Sequence, residues 1–177
     1  PTLSAAPPDE DTWYPGAARI ADLAAQVRSS GVKPTAVLVD TSLFSGPEMA
    51  PGWDPADIAG GDFAPIQPVM LDGGRTQPVS VESPRSLTPA LDAGRALAVA
   101  LGVDPATVTT APGPASGDEL ASVQSAPLIE RLRQMMSASD NVMAESIAQS
   151  NADVVVIVDA PHSRYALPSL GWTYDLL

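Results

Sequence analysis

Two apolar, helix-forming segments separated by a short polar break constrain this chain more than any other stretch. Ahead of the first segment, Ser125 can cap a helix, and Pro127 suits an opening turn, where its missing N–H costs nothing. The segment then repeats apolar side chains on one helical face, at Leu128, Leu132, Met135 and Met136. The break, Ser137–Asn141, is followed by a second apolar stripe over residues 142–148. The stretch therefore predicts a helix, a polar turn and another helix.

The polar break places the hydroxyl of Ser139 two residues from the carboxamide of Asn141. Side chains held between two packed helices can serve as a proton-transfer group and an amide donor on rigid supports. The alternative is a helix-capping pair, because Ser, Asp and Asn are the favoured cap residues. The two interpretations can hold together, so the residues alone leave both open.

Segments 120–128 and 139–145 together resemble the S-x-N region of penicillin-recognising D-alanyl-D-alanine carboxypeptidases. The closest likeness is to the carboxypeptidase/endopeptidase branch with a large insertion between its first and second motifs. In those enzymes a serine, activated by the lysine of S-x-x-K, attacks D-Ala-D-Ala and forms an acyl-enzyme. The resemblance implies that Ser139 is a catalytic proton relay and that Asn141 is a catalytic residue that also binds the substrate amide. Asp140 falls at the variable middle position.

The same resemblance implies the fold class, which is α/β (mixed α+β). An insertion domain of helices on a small sheet would occupy residues 1–115, and part of a penicillin-binding, β-lactamase-like domain would occupy residues 116–177. Pro1–Leu3 fits the end of the Gly-Gly-x-Asp-Pro-Thr-Leu segment that leads into the insertion. We therefore expect residues of the parent protein upstream of this sequence.

Two motifs of the resembled enzymes are missing. K-T-G cannot occur here, because Lys33 is the only lysine. Ser30–Lys33 is a literal S-x-x-K, but Gly31 and Pro34 place it at a helix end, where a C-cap and a solvated lysine are expected. We expect a fragment of a serine-type carboxypeptidase that is inactive alone. The alternatives are a non-catalytic binding or scaffold module, or an unrelated acidic domain.

The charge and composition of the chain limit the classes of partner that it is expected to bind. A net charge of −12 disfavours nucleic acid and anionic membrane surfaces. No apolar run is long enough to span a bilayer. The acids lack metal-ligand spacing and the chain has no cysteine, so no metal and no cofactor is expected. By resemblance, the substrate is a peptidoglycan stem peptide ending in D-Ala-D-Ala, β-lactams bind the complete enzyme, and the site is extracytoplasmic.

Local signals predict the remaining elements. Helices are expected at about 17–30, closed by Gly31, and from Thr88-Pro89 to Leu101, stopped by Gly102. A turn is expected at Asp72–Arg75. Short strands are predicted at 36–40, 66–71, 78–82, 107–110, 120–124 and 154–158. The lone histidine, His162, is expected at the surface or in a turn, and Trp13, Trp53 and Trp172 in the core.

Overall fold

A computed structural model describes residues 2–150. Two short strands, β1 (Leu38–Val39) and β2 (Thr109–Thr110), pair in parallel with Leu38 opposite Thr109. Single 3-10 turns lie at Asp72–Gly74 and Pro105–Thr107. Within the described residues, the α-helices are α1 (Ile20–Ser29), α2 (Ala56–Gly60), α3 (Pro89–Leu101), α4 (Leu128–Ala138) and α5 (Asn141–Ser150). The fold is mixed α/β, as predicted. The predicted strand 154–158, His162 and Trp172 lie outside the described residues.

Helix α3 covers the two-stranded sheet and forms the first core. It begins with Pro89 and ends before Gly102, whose φ of 76° is left-handed, so both predicted boundaries are confirmed. Thr88 makes no side-chain capping bond. Gly94 allows the close approach, because a Cβ at that position would lie 2.5 Å from Cγ2 of Val39. Buried members of this core are Val37, Val39, Ala90, Ala98, Val103 and Val108.

Helix α1 starts three residues later than the sequence pattern predicted. The Ser4 N–H donates to the Ala18 carbonyl at 2.8 Å, and the Ile20 N–H donates to the Ser4 carbonyl at 2.9 Å. Residues before Ile20 therefore run beside the N-terminal segment. At the other end, the Ser30 hydroxyl donates to the Val27 carbonyl at 2.7 Å, and Lys33 is exposed. The expectation of a helix end at Ser30–Lys33 is confirmed.

Three of the predicted strands are wrong. Residues 66–71, 78–82 and 120–124 form no strand; only Leu71 makes a single bridge, to Leu3. A strand with alternating apolar and polar residues forms when its apolar face is buried against a core, but Val81 is 73% exposed. Residues 66–71 are partly buried, but Pro68 removes a ladder donor. The strand predicted at 36–40 shortens to β1, and that at 107–110 shortens to β2.

Helix α5 lies between the second and third cores, and packing against both of them fixes where the helix begins. Val142 packs in the second core, whose other buried members are Ile58, Phe63, Ala64, Ile66 and Met70. Met143 and Ile147 pack in the third, with Tyr14 and Met135. Trp53 and Trp13 pack at the edges of these two cores, and the Trp53 ring stacks on Phe63 at 4.1 Å. The turn before α5 is therefore held from both sides.

Candidate active site

The turn between α4 and α5 consists of Ser139 and Asp140, a shorter break than predicted. Ser139 has φ 50° and ψ 46°, which is left-handed. The N–H groups of Ser139 and Asp140 both donate to the Met135 carbonyl, the latter at 3.0 Å. A left-handed residue with a Cβ costs about 1–2 kcal/mol. The surrounding contacts must therefore hold this conformation.

Asp140, and neither of its two neighbours, caps helix α5. Its Oδ1 accepts a hydrogen bond from the Met143 N–H at 2.9 Å, which is the geometry of an N-cap. The side chain is buried, with 6% exposure. The capping alternative was predicted for Ser139 and Asn141, whereas the side chain that caps α5 is that of Asp140 between them. The predicted cap of α4 is wrong, because Pro127 precedes that helix and Ser125 instead accepts from the Thr2 hydroxyl at 3.0 Å.

The two predicted catalytic side chains stand on either side of the buried aspartate. Ser139 and Asn141 are both exposed. Within residues 2–150 the Ser139 hydroxyl makes no hydrogen bond, whereas Asn141 Nδ2 donates to the Asp62 carbonyl at 3.4 Å. A hydroxyl and a carboxamide with spare hydrogen-bonding capacity are therefore presented to solvent next to one another in the chain.

Sequence reasoning missed Tyr14, whose hydroxyl donates to Asp140 Oδ2 at 2.8 Å. The tyrosine is 2% exposed. Burial raises the pKa of Tyr14 far above its usual value, and the nearby Asp140 carboxylate raises it further, against the lowering effect of Arg75 and Arg85. Tyr14 thus remains a neutral donor. The two residues are 126 positions apart, so no local pattern announces their contact.

Gly73 and two arginines enclose the Tyr14 hydroxyl. Arg85 donates from Nη1 to the Gly73 carbonyl at 2.7 Å and from Nε to the Gly61 carbonyl at 2.8 Å. The Arg75 guanidinium lies 3.6 Å from the centre of the Trp13 ring. A Cβ at Gly73 would collide with Tyr14 Oη, and Gly73 also has a left-handed φ of 65°. The predicted turn at Asp72–Arg75 therefore forms the floor beneath the tyrosine.

Two openings flank this region. A cavity of about 160 Å³ separates the end of α4 from the segment that holds Tyr14; its lining residues are Trp13, Tyr14, Pro15, Gln134, Ala138 and Asp140. A groove of about 410 Å³ lies beyond Trp13 and is lined also by Glu10, Asp11, Thr12, Pro15, Arg19 and Val79. In the described part of the chain, no cluster of acidic or histidine side chains could hold a metal ion. None of the helices there is long and apolar enough to cross a bilayer.

Comparison with known proteins gives consistent matches. The family model for D-Ala-D-Ala carboxypeptidase 3 (S13) matches residues 1–86 and 77–160. Carboxypeptidase Rv3627c of Mycobacterium tuberculosis is 66% identical over 163 residues, which are 92% of this chain and 35% of that protein. Carboxypeptidase DacB of Mycolicibacterium smegmatis is 68% identical over 155 residues, 87% of this chain and 34% of that protein. The chain thus spans about a third of the length of these curated relatives. No solved structure matches it.

Proposed function

Because the chain belongs to the D-Ala-D-Ala carboxypeptidase (S13) family, we propose that it forms the S-x-N wall of a serine peptidase site. The substrate proposed is a peptidoglycan stem peptide ending in D-Ala-D-Ala. One observation carries the proposal: Ser139 and Asn141 are exposed on a turn whose middle residue is buried and bonded. Rigid support of two polar, solvent-facing side chains suits a catalytic wall.

In the proposed reaction, a serine outside this chain attacks the carbonyl of the D-Ala-D-Ala peptide bond. A C–O bond forms, the C–N bond breaks, and the terminal D-Ala leaves as an amine. Ser139 relays the proton from the nucleophile to the leaving nitrogen. Asn141 Nδ2 can exchange its long hydrogen bond to Asp62, at 3.4 Å, for one to the substrate amide carbonyl. A β-lactam would acylate the same serine as a substrate analogue.

The nucleophile is assigned outside the chain because the only S-x-x-K within it lies at the end of α1. A literal lysine motif with Gly31 at φ 79° in its middle cannot keep serine and lysine on one helical face. The proposed location is extracytoplasmic, where peptidoglycan is assembled. The length of the relatives, of which the chain spans 35% and 34%, leaves room for both lysine motifs.

The test uses the full-length parent protein and measures two rates, acylation by a fluorescent penicillin and release of D-Ala from a D-Ala-D-Ala peptide. We expect Ser139→Ala and Asn141→Ala each to slow both rates by about a hundredfold, the size typical of a lost proton-transfer or transition-state contact. Ser137→Ala is the matched control, because that serine is exposed on α4 two residues earlier. Unchanged rates in both variants would refute the assignment. A wild-type protein that binds the peptide without acylation would favour a binding module.

A further inference from the structure

The catalytic turn is connected to a part of the chain that lies far away in sequence. Tyr14, in the segment before α1, is the only side chain within residues 2–150 that hydrogen-bonds to the Asp140 side chain. The same carboxylate caps α5 through Met143. Two oxygens of one buried group therefore join the turn to its own helix and to a separate segment.

We propose that Tyr14 is a positioning residue for the Ser139–Asn141 turn: its hydroxyl fixes the Asp140 carboxylate, and that carboxylate fixes the turn. Ser139 stays in the left-handed conformation, and Asn141 stays on the first turn of α5. The effect on catalysis rests on the proposed function. The effect on the turn does not.

Burial makes the Asp140 carboxylate depend on the Tyr14 hydroxyl. Asp140 is 6% exposed, so its second oxygen has little contact with bulk solvent and relies on a protein donor. The cap to Met143 uses Oδ1 alone, at 2.9 Å. Without the Tyr14 hydroxyl at 2.8 Å, Oδ2 would be a buried, unpaired oxygen, and the side chain would gain by turning toward solvent and abandoning the cap.

Contacts on three sides hold Tyr14 in place, so its hydroxyl can fix the position of the Asp140 carboxylate. Its ring packs with Met135 of α4 and with Met143 and Ile147 of α5. Its hydroxyl lies against Gly73, where a Cβ would collide with it. The Gly73 carbonyl is in turn held by Arg85 at 2.7 Å.

The contacts of Asp140 are necessary because the left-handed backbone of Ser139 is strained. Left-handed residues that carry a Cβ persist where surrounding contacts determine them. The N–H of Asp140 holds one side of the turn by donating to Met135 at 3.0 Å. The side chain of Asp140 holds the other side. Loosening it lets Ser139 relax and moves the proposed relay.

The experiment compares Tyr14→Phe, Asp140→Ala and the double variant in the full-length parent protein. Thr107→Val is the control, because it deletes a hydroxyl that donates at 2.7 Å to Asp104, in a turn beside α3. The measurements are the acylation rate by fluorescent penicillin per mole of folded protein, kcat and KM for D-Ala release, and hydrogen exchange resolved at the Met143 amide. All are made well below the unfolding temperature of each variant.

Tyr14→Phe is expected to slow acylation and kcat about tenfold, to change KM less than twofold and to speed exchange at the Met143 amide about tenfold. The double variant should be no slower than Asp140→Ala, since both act through one group. Acylation within twofold of wild type in folded Tyr14→Phe overturns the proposal. So do effects that multiply in the double variant. If the wild-type protein is not acylated, the proposed function fails, and unchanged exchange at Met143 then overturns the positioning role as well.

Discussion

Ser4 donates its hydroxyl to Asp72 Oδ2 at 3.1 Å in a fully buried site beneath the turn that supports Tyr14. Burial raises the pKa of the Asp72 carboxyl to about 6, although Ser4 and the cations of Arg75 and Arg19 act to lower it. Compared with the unfolded chain, the folded protein therefore favours the neutral form of Asp72, although this carboxyl is mostly ionised at pH 7. The charge at neutral pH costs stability.

The first prediction follows from the sign of this pKa shift. Between the ordinary carboxyl pKa and about 6, the folded protein binds more protons than the unfolded chain, so the free energy of unfolding falls as pH rises. Asp72→Asn removes this loss and keeps an acceptor for Ser4. Relative to wild type, its free energy of unfolding should be about 1–2 kcal/mol more favourable at pH 7 than at pH 4, because the cost of the buried amide that replaces the unpaired Oδ1 is the same at both pH values.

Urea unfolding at both pH values measures this difference. Asn also tolerates the left-handed φ of 47° at position 72. Asp22→Asn, at an exposed carboxyl, should show little difference at either pH. A stability advantage of Asp72→Asn that grows toward pH 4 would contradict the argument.

The second prediction concerns the left-handed backbone of Ser139. Glycine accepts φ 50° without the steric cost of a Cβ, so Ser139→Gly should be more stable than Ser139→Ala by about 1 kcal/mol. At Ser137, inside α4, the order should reverse, and Ser137→Gly should be less stable than Ser137→Ala by about 0.5–1 kcal/mol. Chemical denaturation of the four variants measures both differences. Equal stability of Ser139→Gly and Ser139→Ala would mean that the turn is not left-handed in solution.

The third prediction concerns Asp140. Replacing it with alanine removes the cap of α5 and leaves the Tyr14 hydroxyl buried without its acceptor. The expected loss of unfolding free energy is about 2–4 kcal/mol, the sum of a cap and an unsatisfied buried group.

Asp104→Ala is the matched comparison for Asp140→Ala. Asp104 also caps its helical turn, accepting from the Ala106 N–H at 2.9 Å, but it is exposed and holds no buried hydroxyl. Its loss should cost about 1 kcal/mol. Equal costs for the two variants, measured by urea unfolding, would show that the Tyr14 contact contributes nothing to stability.

The fourth prediction tests the contact between α3 and the sheet. Glycine to alanine inside a helix usually stabilises, but a Cβ at Gly94 would lie 2.5 Å from Val39 Cγ2 and 2.8 Å from Val108 Cγ1. Gly94→Ala should therefore destabilise by about 1–3 kcal/mol through overpacking. Adding Val39→Ala should recover part of that loss. Gly113→Ala, where nothing lies within 4 Å, should be nearly neutral by thermal unfolding.

The sequence predicted those features that depend on neighbours in the chain. Pro89 and Gly102 gave both ends of α3, because each residue restricts its own backbone. The helix, polar turn and helix around Ser139 followed from apolar spacing. The predicted strand at 78–82 was wrong because a strand also depends on tertiary packing. Alternation in the sequence does not show whether the apolar face of the segment is buried against the rest of the protein.

The sequence by itself therefore determined α3, α4, α5 and the polar pair at Ser139 and Asn141, but it placed the start of α1 three residues too early and did not predict α2. Only the tertiary structure decided which residue between them would be buried and what would hold it. Asp140 looked like a variable position, yet it is the cap of α5 and the acceptor for Tyr14. That contact joins residues 126 positions apart, and chain packing, rather than any local preference, brings them together.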